Sequence, residues 1–114
     1  IIDRFVDSTI AYQHYGMSVN LKIIKLINQF LLKDIKIGFT FLNLVNKKNM
    51  SLRLSKRKNL NKYDKFSTKF YEKVQKGYNK IAKKKIKRYM KINSDLDINY
   101  NKKVIIAKID ELIL

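Results

Sequence analysis

The pattern of these 114 residues predicts an α/β fold on a mainly parallel sheet, and predicts that the sheet is incomplete. Three observations lead there. Short runs rich in β-branched and aromatic residues alternate with longer stretches of helical apolar spacing, the order expected of crossover units. The length fits one domain, and 46% apolar residues suffice for a packed core. Yet only three strand-like runs are visible, fewer than a sheet covered on both faces by helices usually has. The chain also opens on Ile1 rather than methionine, so either the protein is processed or it is the downstream part of something longer, and the incomplete sheet agrees with the second.

Residues Ile1-Ile2-Asp3-Arg4-Phe5 read as the end of a buried strand running into a loop: two β-branched residues, then charge. A short helix is expected from Asp7, with Asp7 as N-cap, Ile10, Ala11 and His14 on one side, and Gly16 as its stop. Asn20 is placed to cap the next helix, Leu21 to Leu32, where Ile23, Ile24, Ile27, Phe30 and Leu31 recur at helical spacing. Gly38 precedes Phe39 to Val45, a β-branched and aromatic run bounded by polar residues that predicts a buried strand. Asn46 then caps a helix through Met50, Leu52 and Leu54 to Arg57. Lys56 to Lys62 has no apolar period and reads as a mobile basic loop. A long helix from about Lys65 to Lys85 aligns Phe66, Phe70, Val74, Tyr78 and Ile81 on one stripe. Tyr89 to Asn93 is a short strand and Ser94 to Tyr100 a polar link. A last helix, Lys102 to Leu114, turns Ile105, Ile109, Leu112 and Ile113 to the core.

With no cysteine, disulfides, thiolate metal sites and cysteine nucleophiles are excluded, and the single histidine, His14, cannot form a multi-histidine metal site. No apolar run approaches the roughly 18 residues that span a bilayer, and the first residues lack the features of a secretory signal. A soluble cytoplasmic polypeptide with no membrane partner is the expectation. The net charge of +17 has two readings. One is a polyanion partner, as for a small basic ribosomal-type nucleic-acid-binding protein, using the runs Lys56-Arg57-Lys58 and Lys83-Lys84-Lys85-Ile86-Lys87-Arg88. The other is compositional: 22 lysines against 4 arginines, with abundant Asn, Ile, Tyr and Phe, follow A/T-rich codons. Scarce arginine argues against a reader of bases.

Two motifs carry chemistry. Asp3-Arg4-Phe5-Val6-Asp7-Ser8-Thr9-Ile10-Ala11-Tyr12-Gln13 resembles the D-R-[YFH]-x-x-S-x-x-A-Y-Q signature of bacterial thymidylate kinases. About 65 residues on, Phe70 to Ala82 is similar to that family's F-[HY]-x-x-V-x-x-G-[YF]-x-x-[LI]-A helix. Between them, Thr40-Phe41-Leu42 resembles the family's T-F-L strand. The resemblance covers essentially the whole chain and implies a P-loop-kinase-like three-layer fold whose N-terminal strands are missing. It implies transfer of the ATP γ-phosphate to dTMP, magnesium on the nucleotide phosphates, and a homodimer. The loop that cradles ATP phosphates, G-x-x-x-x-G-K-[ST], is not in the sequence: none of Gly16, Gly38 and Gly77 opens one. The 114 residues, a single C-terminal domain portion with a lid at about 53–64, are therefore expected to be inactive alone.

By the same resemblance, Arg4 at a strand's tip would clamp the dTMP phosphate, its planar fork matching two phosphate oxygens. The alternative is a structural ion pair with Asp3 or Asp7. Asp3 would either orient Arg4 or lie near the magnesium. Ser8, Thr9, Tyr12 and Gln13 would line the nucleoside pocket: hydroxyls and amide bonding the thymine edge, Tyr12 packing on the sugar. Capping, solvent exposure or core packing are their plainer roles. Arg53 and Arg57 would be the catalytic cations of the lid, stabilising the transferred phosphoryl group. Lys62 stands where the family usually has arginine and lacks its bidentate fork. His14 and Ser18 replace residues that are commonly glycine in the family and lie at the pocket's edge.

Overall fold

The computed structural model describes residues 1–57 and 67–114. Strands β1 (Thr40–Leu44) and β2 (Tyr89–Asn93) pair in parallel, Thr40 opposite Tyr89 and Leu44 opposite Asn93. Helices α3 (Lys47–Ser55) and α4 (Thr68–Lys84) lie in the connection between them, so the predicted crossover is present. Paired residues of a parallel ladder share a face. Leu42 opposes Lys91 while Ile92 opposes Asn43, so the two buried strand residues lie on opposite faces of the ribbon.

No strand forms at Ile1–Phe5, contrary to expectation. The backbone there is irregular and Ile1 and Ile2 are exposed. A strand's backbone groups need a neighbouring ladder, and among the described residues β1 and β2 pair only with each other. The first helix, α1 (Val6–Thr9), is capped at Phe5 without a side-chain bond. Asp7 lies inside its first turn and is not the N-cap.

From Ile10 to Gly16 the chain winds on as a π-helix, the wider i→i+5 form found mostly at functional sites. It closes through Val19 N–H on Gln13 O at 2.8 Å and Ser18 N–H on His14 O at 2.9 Å. Each loop is one residue longer than its counterpart in a Schellman cap, as a wider helix requires. The left-handed residue of this cap is Ser18, φ 61°, not Gly16, whose φ is not positive. A side chain there costs about 1 kcal/mol or more. Ser18→Gly is therefore expected to raise stability by about 0.5–1 kcal/mol net of its greater unfolded-state freedom, seen as a later urea midpoint with unchanged slope.

The core lies where the π segment crosses α4. Ala11, Phe70 and Val74 are buried there, with Tyr12, Met17, Tyr71, Tyr78 and Ile81 packed around them. Glycine at two positions permits the close approach. A Cβ on Gly16 would stand 2.6 Å from Phe70 Cε2, and one on Gly77 would stand 2.6–2.7 Å from three atoms of Tyr15.

Helix α2 (Leu21–Leu31) starts on Asn20, whose side chain accepts from the Lys22 and Ile23 amides. Of its predicted core residues only Ile24 is buried. Ile23, Ile27, Phe30 and Leu31 are 53–80% exposed, because only the ridge through Ile24 and Asn28 meets the rest of the protein. Helix α3 is capped by Asn46 as predicted and stops at Ser55. Helix α4 is capped by Ser67; Phe66, Lys62 and most of the predicted lid loop lie outside the described residues. Helix α5 (Ile98–Ile113) begins four residues before its predicted start, because Asp97 accepts from the Asn99 and Tyr100 amides. Its Ile105 and Ile109 are half-buried, whereas Leu112 and Ile113 are exposed rather than in the core.

Candidate active site

The α1–π run presents most of the residues singled out in the first motif, and α4 supplies their floor. Arg4 precedes the helix with φ 58°, a conformation an L-residue keeps only under constraint. Its guanidinium carbon lies 5.5 Å from the centre of the Tyr12 ring, within cation–π range. The exposed Arg4 makes no ion pair with Asp3 or Asp7 among the described residues; Asp7 pairs with Arg88 instead, at 3.6 Å. Asp3 is exposed beside it.

Tyr12 is half-buried. It meets Phe70 edge-on at 6.0 Å and Tyr78 at 6.5 Å. The Ser8 hydroxyl bonds the Tyr78 hydroxyl at 2.6 Å. Burial raises the pKa of Tyr78, partly offset by the Ser8 bond, so the phenol stays protonated. Tyr78 was legible only as core; its hydroxyl is a polar member of the site. Thr9 is exposed and Gln13 half-buried, and neither side chain makes a hydrogen bond among the described residues. Both are free to bond a ligand. His14 uses Nδ1 on Val19 O at 2.8 Å and meets Tyr15 edge-on, which makes it part of the π-segment cap.

A polar brace holds this run to the sheet. The Tyr89 hydroxyl donates to Asp7 Oδ2 at 2.5 Å, and Arg88 Nη2 donates to the Tyr89 hydroxyl at 3.2 Å. Asp7 thus serves as an anchor where capping was expected. Burial first, then the Asp7 bond and charge, push the Tyr89 pKa well above its usual value. The raised folded-state pKa favours the protonated phenol, so its stabilisation is complete below about pH 10 and is lost as pH climbs through the folded value. Tyr89→Phe is expected to flatten the loss of stability above about pH 10, leaving the part due to Tyr78, in urea titrations run between neutral and alkaline pH.

At the C-terminal ends of the strands, Leu44, Val45, Asn46, Ile92, Asn93 and Asp95 line a cavity of about 360 Å³, where open α/β sheets place ligands. Asp95 accepts from the Asn46 amide and from Asn49 Nδ2. Arg53 Nη2 donates to Ser94 O at 2.7 Å, so the last turn of α3 is tied to the turn after β2. Gln75 bonds both backbone groups of Val45 through its amide. Asp95 and Gln75 had no sequence signal beyond being polar. Arg57 ends the described part of this region, and the hydrogen bond of Arg53 goes to Ser94 O rather than to the Arg4 cluster.

A sequence model of the thymidylate kinase family matches residues 1–105. The thymidylate kinase of Wolbachia pipientis from Culex pipiens (strain wPip) is 37% identical over 102 residues, covering 90% of this chain and 48% of that protein. That of an Exiguobacterium strain is 31% identical over 98 residues, 86% of this chain and 46% of that protein. The crystal structure of thymidylate kinase from Ehrlichia chaffeensis superposes with a TM-score of 0.66 at 27% identity, over 94% of this chain and 49% of that one. The chain spans about half the length of the relatives it matches. Nothing in these matches supports the nucleic-acid-binding reading of the charge. Fold, paired motifs and relatives agree: the chain belongs to the thymidylate kinase family.

Proposed function

We propose that these 114 residues form the dTMP-binding side and the lid base of a thymidylate kinase, an enzyme that moves the γ-phosphate of ATP to dTMP and gives dTDP. The observation that carries this is the cluster at the helix entrance: Arg4 stacked on Tyr12, beside Thr9 and Gln13 with unengaged polar groups. A guanidinium clear of ion pairs, held by an aromatic face, suits a phosphate monoester. Gln13 offers an acceptor and a donor to the N3–H and O4 edge of thymine. Cytosine presents the reversed pair, which leaves polar groups unpaired against dCMP where the bound site holds the Gln13 amide in one orientation. Tyr78 fixes the Ser8 hydroxyl, and Asp3 extends the polar rim beside Arg4.

Arg53 and Arg57 are the proposed catalytic cations of a lid at about 53–64, with α3 as its rooted end. Their part is to bring positive charge to the transferred phosphoryl group when the lid closes. No seat for ATP or magnesium is assigned among the described residues. The phosphate-loop motif is absent from the 114 residues, and no three His, Cys, Asp or Glu side chains cluster among those described. No step is therefore assigned to them through this chain. No described helix is long and apolar enough to cross a membrane.

Calorimetric titration tests the reading. The chain is expected to bind dTMP one-to-one and dCMP at least about tenfold more weakly, the scale of one unpaired buried polar group. In an ATP/dTMP coupled assay it is expected to show no turnover. Equal affinity for dTMP and dCMP would remove the assigned pocket, and turnover near the roughly 1–100 per second of kinases would refute the absence of an ATP site.

A further inference from the structure

The basic run after α4 has no part in the site above. It folds beside the loop that follows α2, and the two border an open hollow of about 530 Å³. Its lining residues precede β1 on one side and β2 on the other, so it lies at the N-terminal end of the strands, opposite the Leu44–Asp95 cavity. Lys36, Lys85, Lys87 and Arg88 line it, and Leu32, Ile35 and Ile37 form an apolar wall. No carboxylate is among the lining residues.

Among the described lysines only Lys47, with Glu72, and Lys108, with Glu111, form ion pairs. Among the described residues Lys36, Lys85 and Lys87 have no ion pair. Arg88 is fixed from behind: Tyr89 and Asp7 hold Nη2, the guanidinium lies over the Tyr89 ring, and Nε is buried without a partner. The charge of Arg88 is met by Asp7, whereas the three exposed lysines beside it repel one another until an anion enters.

We propose that this cavity binds a small soluble molecule carrying two or more linked phosphates. Several phosphate oxygens are needed to satisfy three unpaired lysines and the rim of Arg88, more than one carboxylate offers. The volume is that of a small-molecule site, and the cations surround one hollow instead of tracking along a face as in a nucleic-acid groove. The site is independent of the dTMP reading, because none of its lining residues belongs to the Arg4 cluster.

The probe is sodium tripolyphosphate, titrated into the chain at physiological ionic strength and followed by amide NMR shifts. Saturable one-to-one binding is expected, with the shifts concentrated at 35–38 and 85–88. The double variant Lys36→Gln/Lys87→Gln is expected to weaken it at least about tenfold. Gly38→Asp is expected to do the same; Gly38 lines the hollow and a new Cβ there meets nothing within 4 Å, so the change sets a carboxylate beside the lysines without displacing the loop. Lys102→Gln/Lys103→Gln removes the same charge from the exposed face of α5; it should change affinity less than about threefold, the size of a screened long-range effect. Arg4→Ala should leave it unchanged. An equal loss in the α5 variant, shifts spread over lysines generally, or preference for RNA growing with its length would each overturn the proposal.

Discussion

Gly77→Ala is expected to lower folding stability by about 2 kcal/mol, although the same change in an exposed helix would raise it by about 1 kcal/mol. The sign is set by Tyr15. The added methyl would stand 2.6 Å from Tyr15 Cδ2 and 2.7 Å from both Cγ and Cβ. Cβ is rooted in the π segment, so no rotamer change removes the clash and the two helices must separate. Separation loosens the Ala11–Phe70–Val74 core, and buried groups do not repack freely at native density. Gly16→Ala meets the outer edge of the Phe70 ring at 2.6 Å instead; a ring can tilt, so its cost should be smaller. Urea unfolding of both variants gives the order, and Tyr15→Gly, which removes the Cβ as well as the ring, should relieve Gly77→Ala in a double-mutant cycle, with Tyr15→Ala relieving it only in part. A stabilised Gly77→Ala protein would mean that the helices do not cross where described.

That crossing marks a boundary between what the sequence states and what it leaves open. The glycine was visible in the motif, but its purpose depends on a residue 62 positions away. Local signals were readable because their cause is local. Asn20 and Asn46 cap helices through amides two or three residues on, and β2 was bounded correctly at Tyr89–Asn93. Asp97 caps in the same way, yet the polar residues around it read as a link, so α5 was started four residues late. Ile1–Phe5 failed for a different reason. Its composition suits a strand, but strand formation depends on a partner ladder, which local composition does not reveal. Helix α2 shows the converse: its apolar period is real, whereas burial depends on what lies against it.

The candidate site divides along the same line. The spacing of the first motif put Arg4, Ser8, Thr9, Tyr12 and Gln13 on one short run, and the structure keeps them there. The spacing could not show that Ser8 is held by Tyr78, that Asp7 braces Tyr89, or that a π-helix carries Tyr12 and Gln13. Those features arise from the packing of α4 and β2 against the run. Arg53, expected as a catalytic cation, is tied to Ser94 O in this state, so its proposed lid role requires that bond to exchange for a phosphate on closure.

Arg4→Ala is expected to weaken dTMP binding by roughly a hundredfold while leaving the affinity for thymidine, which has no phosphate, within about twofold. The magnitude follows from about 3 kcal/mol for a charge-assisted bidentate contact, at 1.4 kcal/mol per tenfold. Arg4→Lys keeps one charge but loses the fork and the planar stack on Tyr12, and should fall about tenfold. The backbone supplies a separate control. At φ 58° a non-glycine residue is strained, so Arg4→Gly should bind dTMP as poorly as Arg4→Ala yet unfold at a higher urea concentration, by about 1 kcal/mol. A merely structural arginine would couple the two readouts, with affinity following stability. The proposed role separates them: the glycine variant is the more stable of the two and no better at holding the phosphate. Arg4→Ala binding dTMP and thymidine as the unaltered chain does would leave the guanidinium without a phosphate to grip, and the dTMP site would have to be sought elsewhere.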